Sequence, residues 1–591
     1  NYVTGKVYQD RDEGCNGYDL TRDIPLEDWL VQVSSKETDR IYYGVTDAEG
    51  NYRIRVDTGS YNVKLLPVNN YWKSCVEAGY ETEFAAFYDT TTLNFPVTAD
   101  IDCPLMEVNV TAPFNVPCEA VTYQVTYCNN GTTVARDAYV EISLDEKMTF
   151  VDATLMPAAQ EGSLLRFELG DVASTECGRL AITTSTEEAC TEGGVFDGEA
   201  VEVRARIYPD SLCAEPDSRW DRSRITVAGD CNQNRDSVKF LIRNVGVGSM
   251  SQSRQSIVIQ DDVIILLQGQ DPSFLLDSGE DKEVPIRAEE GSTYRLIAFQ
   301  DQFFPGSPFA TAYVEGCVED DEPIKTGFVT QFPEADEEPS IDVDVQELSA
   351  ADQSIAMRGY PKSYGDGEII ATNTDITYTV YFENVGADTV RRVVIRDTLS
   401  ENLDVTTLVP GAASHPYNFE VYDNGTLRMT FSDIELLPAG SADPAASYGF
   451  VKFRVSQKPD LPEGTRIDNR AAVFFDYHEP ALTNLVRYFT ADFPSYLPER
   501  IITSIDEVFW PGVEINIYPN PFIESTVIEI DGYEFKEVML RVFDTSGRLL
   551  NTSRHQGNQI MYYRNALPAG LYFFRLESEG QLISSGKMLM R

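Results

Sequence analysis

The residues best placed to do chemistry stand near the start of the chain, in the loop Gln9-Asp10-Arg11-Asp12-Glu13-Gly14-Cys15-Asn16-Gly17-Tyr18-Asp19, with Asp23 just beyond. Asp10, Asp12, Asp19 and Asp23 set carboxylate oxygens at short intervals, and the intervening glycines allow a tight wrap. Calcium takes six to eight oxygens from carboxylates, carbonyls and water. Anions gathered this closely repel one another unless a cation sits among them, so the spacing points to calcium as a cofactor, with stiffening as its role. A solvated acidic turn is the alternative. The loop is not an EF-hand: Gly14 breaks the alternating acidic order and no Glu closes it at the last ligand position.

Covalent and acid–base chemistry find fewer candidates. The chain has only three histidines, His415 beside Pro416, His478 after Asp476-Tyr477, and His555 in a late loop. It has no Gly-x-Ser-x-Gly elbow, no His-Glu-x-x-His pair, no phosphate-cradling glycine loop and no dinucleotide fingerprint. With 95 acidic residues, paired carboxylates arise by accident, and no long irregular insertion is visible that could shape a cleft around such a pair. The expectation is that the chain is not an enzyme.

The elements that must position these residues are strands. At 591 residues the chain is too long for one core. Tyr and Phe together number 61, Val, Ile and Thr recur throughout, and no sustained helical periodicity appears. The fold class expected is all-β, tandem Ig-like β-sandwich domains in an elongated array. The net charge of −48 repels phosphate backbones, which excludes nucleic acid as a partner, and no apolar run reaches the length of a transmembrane segment. The first residue, Asn1, falls inside a predicted strand with no signal peptide before it, so the chain is expected to be processed or part of something longer. Ten cysteines, all at or before Cys317 and none in a Cys-x-x-Cys pair, favour disulfides in an oxidising compartment over zinc. Connectivity stays open; proximity suggests Cys15 with Cys75 and Cys213 with Cys231.

Residues 1–104 read as a first unit. After the acidic loop come a Leu-x-x-Trp strand, Thr46-Asp47-x-x-Gly50-x-Tyr52 and Gly59-x-Tyr61-x-Val63. This order resembles the SdrD B-like or Cna B-type repeat of bacterial surface adhesins, in which such a loop commonly holds calcium. Residues 105–215 form a second unit, and with it an internal repeat emerges. Strands ending in Asn129-x-Gly131, Asn244-x-Gly246 and Asn384-x-Gly386 recur 115 and 140 residues apart. Three β-sandwiches of one kind are therefore expected, with Asn and Gly placed where the backbone needs positive φ. The second unit resembles the DUF11-type surface repeat. A third Ig-like unit, 216–322, takes in Val263 to Leu267, and 323–354 reads as an acidic, proline-punctuated linker. The fourth, 355–495, is DUF11-related. It carries Arg391 to Leu399 and Ile467 to Asp476, and it resembles a domain often found before type IX sorting tails. A second linker, 496–514, follows.

The last segment, 515–591, opens with Tyr518-Pro519-Asn520-Pro521, alternates through short strands, turns at Gly547 and again before Gly570 and Tyr572, and ends on the Gly586-Lys587 strand. These motifs resemble the type A C-terminal sorting domain of the Bacteroidota type IX secretion system. The resemblance implies partners in the secretion machinery (translocon, shuttle and sortase) and export through the periplasm to the outer-membrane surface or the medium. The function expected is a secreted or cell-surface structural or adhesion protein: a stalk, fibre or appendage subunit that meets other copies of itself or cell-surface ligands. The alternatives are accessory and sorting domains of a larger secreted enzyme, or a glycan- or protein-binding module.

Overall fold

The structure, a computed structural model, describes the chain except residues 13, 16, 114–116, 188–198, 212–215, 233–236, 268–270, 290, 316, 318–328, 333–337, 349–353, 423–424, 440–443, 503–513, 545–547, 565–566 and 579–580. The described elements are β-strands and two short 3-10 turns. They divide into two compact units: residues 1–262 with 273–498, and residues 263–272 with 499–591.

In the larger unit, the first sandwich sets Tyr2–Gln9, Asn51–Arg55, Phe95–Ala99 and their neighbours against the sheet Ile41–Val45, Leu30–Ser35, Gly59–Leu66 and Tyr80–Phe84. Alternation along Tyr52, Ile54 and Val56, and along Tyr61, Val63 and Leu65, buries one side of each strand. Trp29 and Trp72 meet edge to face, 5.7 Å apart, in this core. Gly50 sits at φ +73, where a Cβ would stand 2.4 Å from the Val7 carbonyl oxygen, so the Thr46-to-Tyr52 turn requires glycine there.

The second sandwich packs Met106–Thr111, Ala120–Asn129, Cys177–Ser185 and Thr149–Ala153 against a five-stranded sheet containing Ala135–Leu144, Leu164–Val172 and Ala200–Tyr208. The outer strand of that second sheet is Ile341–Glu347, which pairs antiparallel with Ala200–Tyr208. This corrects the linker reading for that stretch. In Ile341-Asp342-Val343-Asp344-Val345-Gln346 the polar residues alternate with buried Ile341, Val343 and Val345, and the polar side turns to the edge strand Met106–Thr111 of the opposite sheet. There Asp342 accepts from the Val110 N–H and Asp344 from the Ala112 N–H, while Gln346 donates to the Ala112 carbonyl. Side chains thus satisfy a strand edge that would otherwise be left open.

The third sandwich is built from Ile225–Cys231, Ser237–Asn244 and Asp281–Arg287 facing Arg254–Gln260, Tyr294–Phe299 and Phe309–Val314. The fourth combines Ile355–Tyr360, Asp375–Glu383, Tyr448–Gln457 and Leu403–Ala413 with sheets containing Val393–Thr398, Thr426–Phe431, Ala471–Phe475, Arg466–Asn469 and Val486–Ala491.

The repeated asparagine is buried in all three copies, but its purpose differs from the one expected. Gly131, Gly246 and Gly386 are absent from the left-handed region. Instead each Asn side chain pins the corner. Asn129 Oδ1 accepts from the Gly131 and Leu105 N–H groups, and its Nδ2 donates to the carbonyls of Thr133 and Val172. Asn244 does the same with Gly246, Arg224, Gly248 and Leu276. Asn384 bonds Gly386, Asp388 and Leu436. Glycine follows because the neighbouring chain passes close: a Cβ at Gly131 would lie 2.2 Å from the Leu105 nitrogen, and one at Gly246 2.4 Å from the Arg222 oxygen.

Sandwiches distant in sequence also touch. Tyr43 of the first is buried in the hydrophobic cluster of the fourth. Lys452 of the fourth reaches into the second, where its amine lies 2.9 Å from Asp342 Oδ2 and 3.1 Å from the Val110 oxygen. Asn109 Oδ1 accepts from the Ala412 N–H at 2.7 Å.

In the smaller unit, Glu514–Tyr518, Ser525–Asp531 and Gln559–Tyr563 form one sheet, and Leu549–Gln556, Glu537–Phe543, Gly570–Ser578 and Gln581–Met590 another. Phe522, Ile528, Val538, Leu540, Tyr572, Phe574 and Met588 fill the space between them. Val263–Leu267 is a strand, as read from sequence, and it pairs in parallel with Glu499–Ile502.

Candidate functional site

The acidic loop closes around an arginine. Asp10 and Asp23 are buried, and the Arg22 guanidinium lies 2.9 Å from Asp23 Oδ1, contacts Asp12, and stands 3.9 Å from Asp10. Backbone N–H groups take further oxygens: Asp12 donates to Asp10, Gly14 to Asp12, and Asp19 to Asp23 at 2.8 Å. Asp19 Oδ1 accepts from both the N–H and the hydroxyl of Thr21, which holds its pKa below the usual carboxylate value. Burial alone would raise Asp23; the hydrogen bonds from Arg22 and from the N–H groups of Asp19 and Arg11 outweigh it and hold Asp23 low.

This donor set does not fit a calcium cage. The cationic role is filled by Arg22, which the sequence reading passed over, and among the described residues no three His, Cys, Asp or Glu converge to hold a metal ion. The signal was present in the sequence, since an arginine directly precedes the last aspartate of the cluster.

The loop is anchored by a disulfide from Cys15 to Cys75. Cys128 and Cys177 face each other across paired strands and are also joined. Cys231 bonds Cys317, which corrects its suggested pairing with Cys213; the strands that carry or precede these residues pack together across the third sandwich, a closeness invisible in linear spacing. Cys213 lies outside the described residues.

The histidines do not assemble a catalytic relay. His415 Nδ1 lies 2.9 Å from Ser414 Oγ, but that hydroxyl is held by the backbone of Phe450. Burial, with Arg179 nearby, holds the His415 pKa below its ordinary value. His555 Nε2 meets Ser553 Oγ at 2.8 Å, and His478 meets the Phe475 carbonyl. No bond to an orienting carboxylate joins either Ser–His pair among those described.

A cleft of about 810 Å³ opens among the second, third and fourth sandwiches, lined by Glu107, Asp344, Arg358, Tyr381, Lys452 and Arg454 among others. Burial pushes Asp344 up to about 6 against the pull of Lys452, with Asp342 adding to the rise. Burial also raises Glu107, opposed by Arg454 and by the Asn130 amide, which donates to it at 2.6 Å.

In the C-terminal unit the spaced motifs converge. Asn520 donates to the Lys587 carbonyl and accepts from the Leu589 N–H at 2.8 Å, so the proline-flanked entry is tied to the final strand. Phe522 is buried beside Tyr562 and bonds both Leu589 and Arg591 through its backbone. The Pro519 carbonyl accepts from Thr526, and the Tyr518 hydroxyl donates to Glu529 at 2.6 Å. Tyr572 is buried and donates to the Pro568 carbonyl, while Gly570 pairs with Met590. Gly586 stands opposite Phe574, and a Cβ there would lie 2.6 Å from that ring. Lys587 is exposed. Pro521 stands in the proline-flanked entry itself, and Gly547 lies outside the described residues.

Residues 516–590 match the secretion system C-terminal sorting domain, and residues 361–488 match a domain of unknown function, DUF7619. The tail is a type IX sorting domain, and the chain is exported to the cell surface or the extracellular space. No helix is long and apolar enough to cross a membrane among the described residues. No curated protein matches. Among solved structures, the full-length major pilin SpaD from Corynebacterium diphtheriae is similar at 10% identity over 55% of this chain and 94% of that one, with a TM-score of 0.17. A putative membrane anchored protein from the same organism shows 7% identity over 80% and 99%, TM-score 0.19. The collagen-binding domain of a Staphylococcus aureus adhesin shows 11% over 24% and 100%, TM-score 0.16.

Proposed function

We propose that this chain is a non-catalytic structural or adhesive protein of the cell surface, delivered by the type IX machinery as a set of disulfide-braced sandwiches. The sorting domain at 516–590 carries the reading, because it makes the upstream sandwiches cargo for the surface. The covalent bracing and the acidic exterior suit a folded body that must persist outside the cell. Export is tested by deleting 515–591: the truncated chain is expected to be retained in the periplasm and lost from surface-shaving digests. The structural role is tested by removing the gene product. Loss of a surface layer, filament or attachment phenotype is the expected result, and an unchanged surface with loss of a hydrolytic activity would favour the accessory-domain alternative.

The cleft favours a second reading, a glycan- or protein-binding module, since it presents guanidinium, carboxylate and phenol groups together. A glycan array probed with the full chain, and repeated after R454A, separates this from the structural role.

A further inference from the structure

The core of the fourth sandwich encloses three polar side chains with no part in export or bracing. Asp397 lies on Val393–Thr398, Asn469 ends Arg466–Asn469, and Tyr378 faces them from Asp375–Glu383; all three are buried. Asn469 Nδ2 donates to Asp397 Oδ2 at 3.0 Å. The other oxygen of each group, Asp397 Oδ1 and Asn469 Oδ1, is buried with no hydrogen-bond partner, as is the Tyr378 hydroxyl. An ionised carboxylate and an amide oxygen are both acceptors only. Two orphaned acceptors on an already bonded pair are therefore mismatched unless one of them carries a hydrogen.

We infer that Asp397 is a carboxylic acid in the folded protein, its Oδ1–H donating to Asn469 Oδ1, so that the two side chains form a doubly hydrogen-bonded acid–amide pair holding one proton. The surroundings agree. The strands flanking Asp397 offer only Leu427 and Ala471 opposite it. The titratable groups acting on the adjoining Tyr378 are Tyr488, Asp397 and Asp468, and among the described residues no charged group acts appreciably on Asp397 itself. Asp468 is spent on Arg466 and Arg487, whose bonds hold it down to about 2. Burial pushes Asp397 up to about 7, opposed only by the Asn469 bond.

The sandwich is then proton-linked, and the sign is fixed. The folded-state value lies above the unfolded one, so the contribution to stability is complete below the unfolded carboxylate range. It is lost as pH rises through about 7, with the unfolding constant rising by up to tenfold per pH unit between.

The test compares the full chain with D397N, in which an amide–amide pair keeps both hydrogen bonds without titrating. Amide hydrogen exchange in Val393–Thr398 and Ala471–Phe475 is followed at matched pH. Relative to D397N, wild-type protection is expected to fall by about fiftyfold from pH 5 to pH 7. An infrared band of a protonated carboxyl at neutral pH, missing from D397N, is the second readout; it can be titrated in wild type alone. If D397N fails to fold, N469D serves instead, where two carboxyls share the site and the loss with rising pH should steepen. Parallel exchange profiles together with no titrating carboxyl band would overturn the inference, leaving Asp397 ionised and bridged by water.

Discussion

Replacing the corner asparagine of each sandwich by alanine should destabilise that sandwich far more than an ordinary loop substitution. Asn129 and Asn244 each make four side-chain hydrogen bonds to backbone groups, and Asn384 makes three. At about 1 kcal/mol per bond, with the buried backbone partners left unmet, N129A and N244A should each cost about 4 kcal/mol and N384A about 3 kcal/mol. For domains of this size that lowers the melting temperature by roughly 10 to 17 °C. N384D separates hydrogen bonding from volume: it keeps the acceptor facing Gly386 but sets an oxygen against the carbonyls of Asp388 and Leu436. It should be at least as damaging at neutral pH. Calorimetry of the full chain reads the transitions, and hydrogen exchange assigns each loss to its own sandwich. A cost below about 1 kcal/mol in all three, or a loss spread evenly over the chain, would show that the repeated asparagine is only a turn former and refute the reasoning.

Other consequences can be measured directly. R22A should lower the melting temperature of the first sandwich, whereas chelator should leave wild type unchanged; a chelator-induced drop would reinstate a metal in the loop. K452A strands the buried Asp342 carboxylate and should cost about 3 kcal/mol or more, while K452M with D342N should recover most of it; equal losses for both would show that the ion pair is incidental. G586V drives a side chain into the Phe574 ring and should abolish folding of the sorting tail, so that the chain fails to leave the cell although the upstream sandwiches still melt cooperatively.

Much of this was legible because strand alternation and turn chemistry are local. Tyr52, Ile54 and Val56 announce a strand with one buried face, and Gly50 announces a turn only glycine can make. The tail motifs at Tyr518 to Pro521 and Gly586-Lys587 were readable as a set, although what joins them, the Asn520 bonds to the last strand, is not local. Two of the misses share one cause. Asp342 and Asp344 read as solvated charges because their partners, Val110, Ala112 and Lys452, stand far away in sequence. Cys231 finds Cys317 by the same long-range packing. At Asn129, Asn244 and Asn384 the residue was identified but its reason was not: the side chain, rather than backbone dihedral freedom, makes the corner.

These long-range contacts bear on what kind of surface protein this is. In a string of independent beads each sandwich would bury its core alone, and charged junctions would be solvated and weak. Here Tyr43 of the first sandwich enters the core of the fourth, and Lys452 of the fourth is buried in the edge of the second. Removing water from Lys452 and Asp342 costs several kcal/mol per ion unless the geometry is satisfied, so such a junction forms in one register or not at all. The Val110 carbonyl and N–H complete that geometry, one accepting from Lys452 and the other donating to Asp342. The pair therefore specifies how the sandwiches meet more than it stabilises them. On this argument, a protein carrying K452M with D342L would keep its sandwiches folded yet let the second and fourth separate. Small-angle scattering would detect that as expansion without unfolding, and unchanged scattering would place the specificity in the apolar contact at Tyr43 instead.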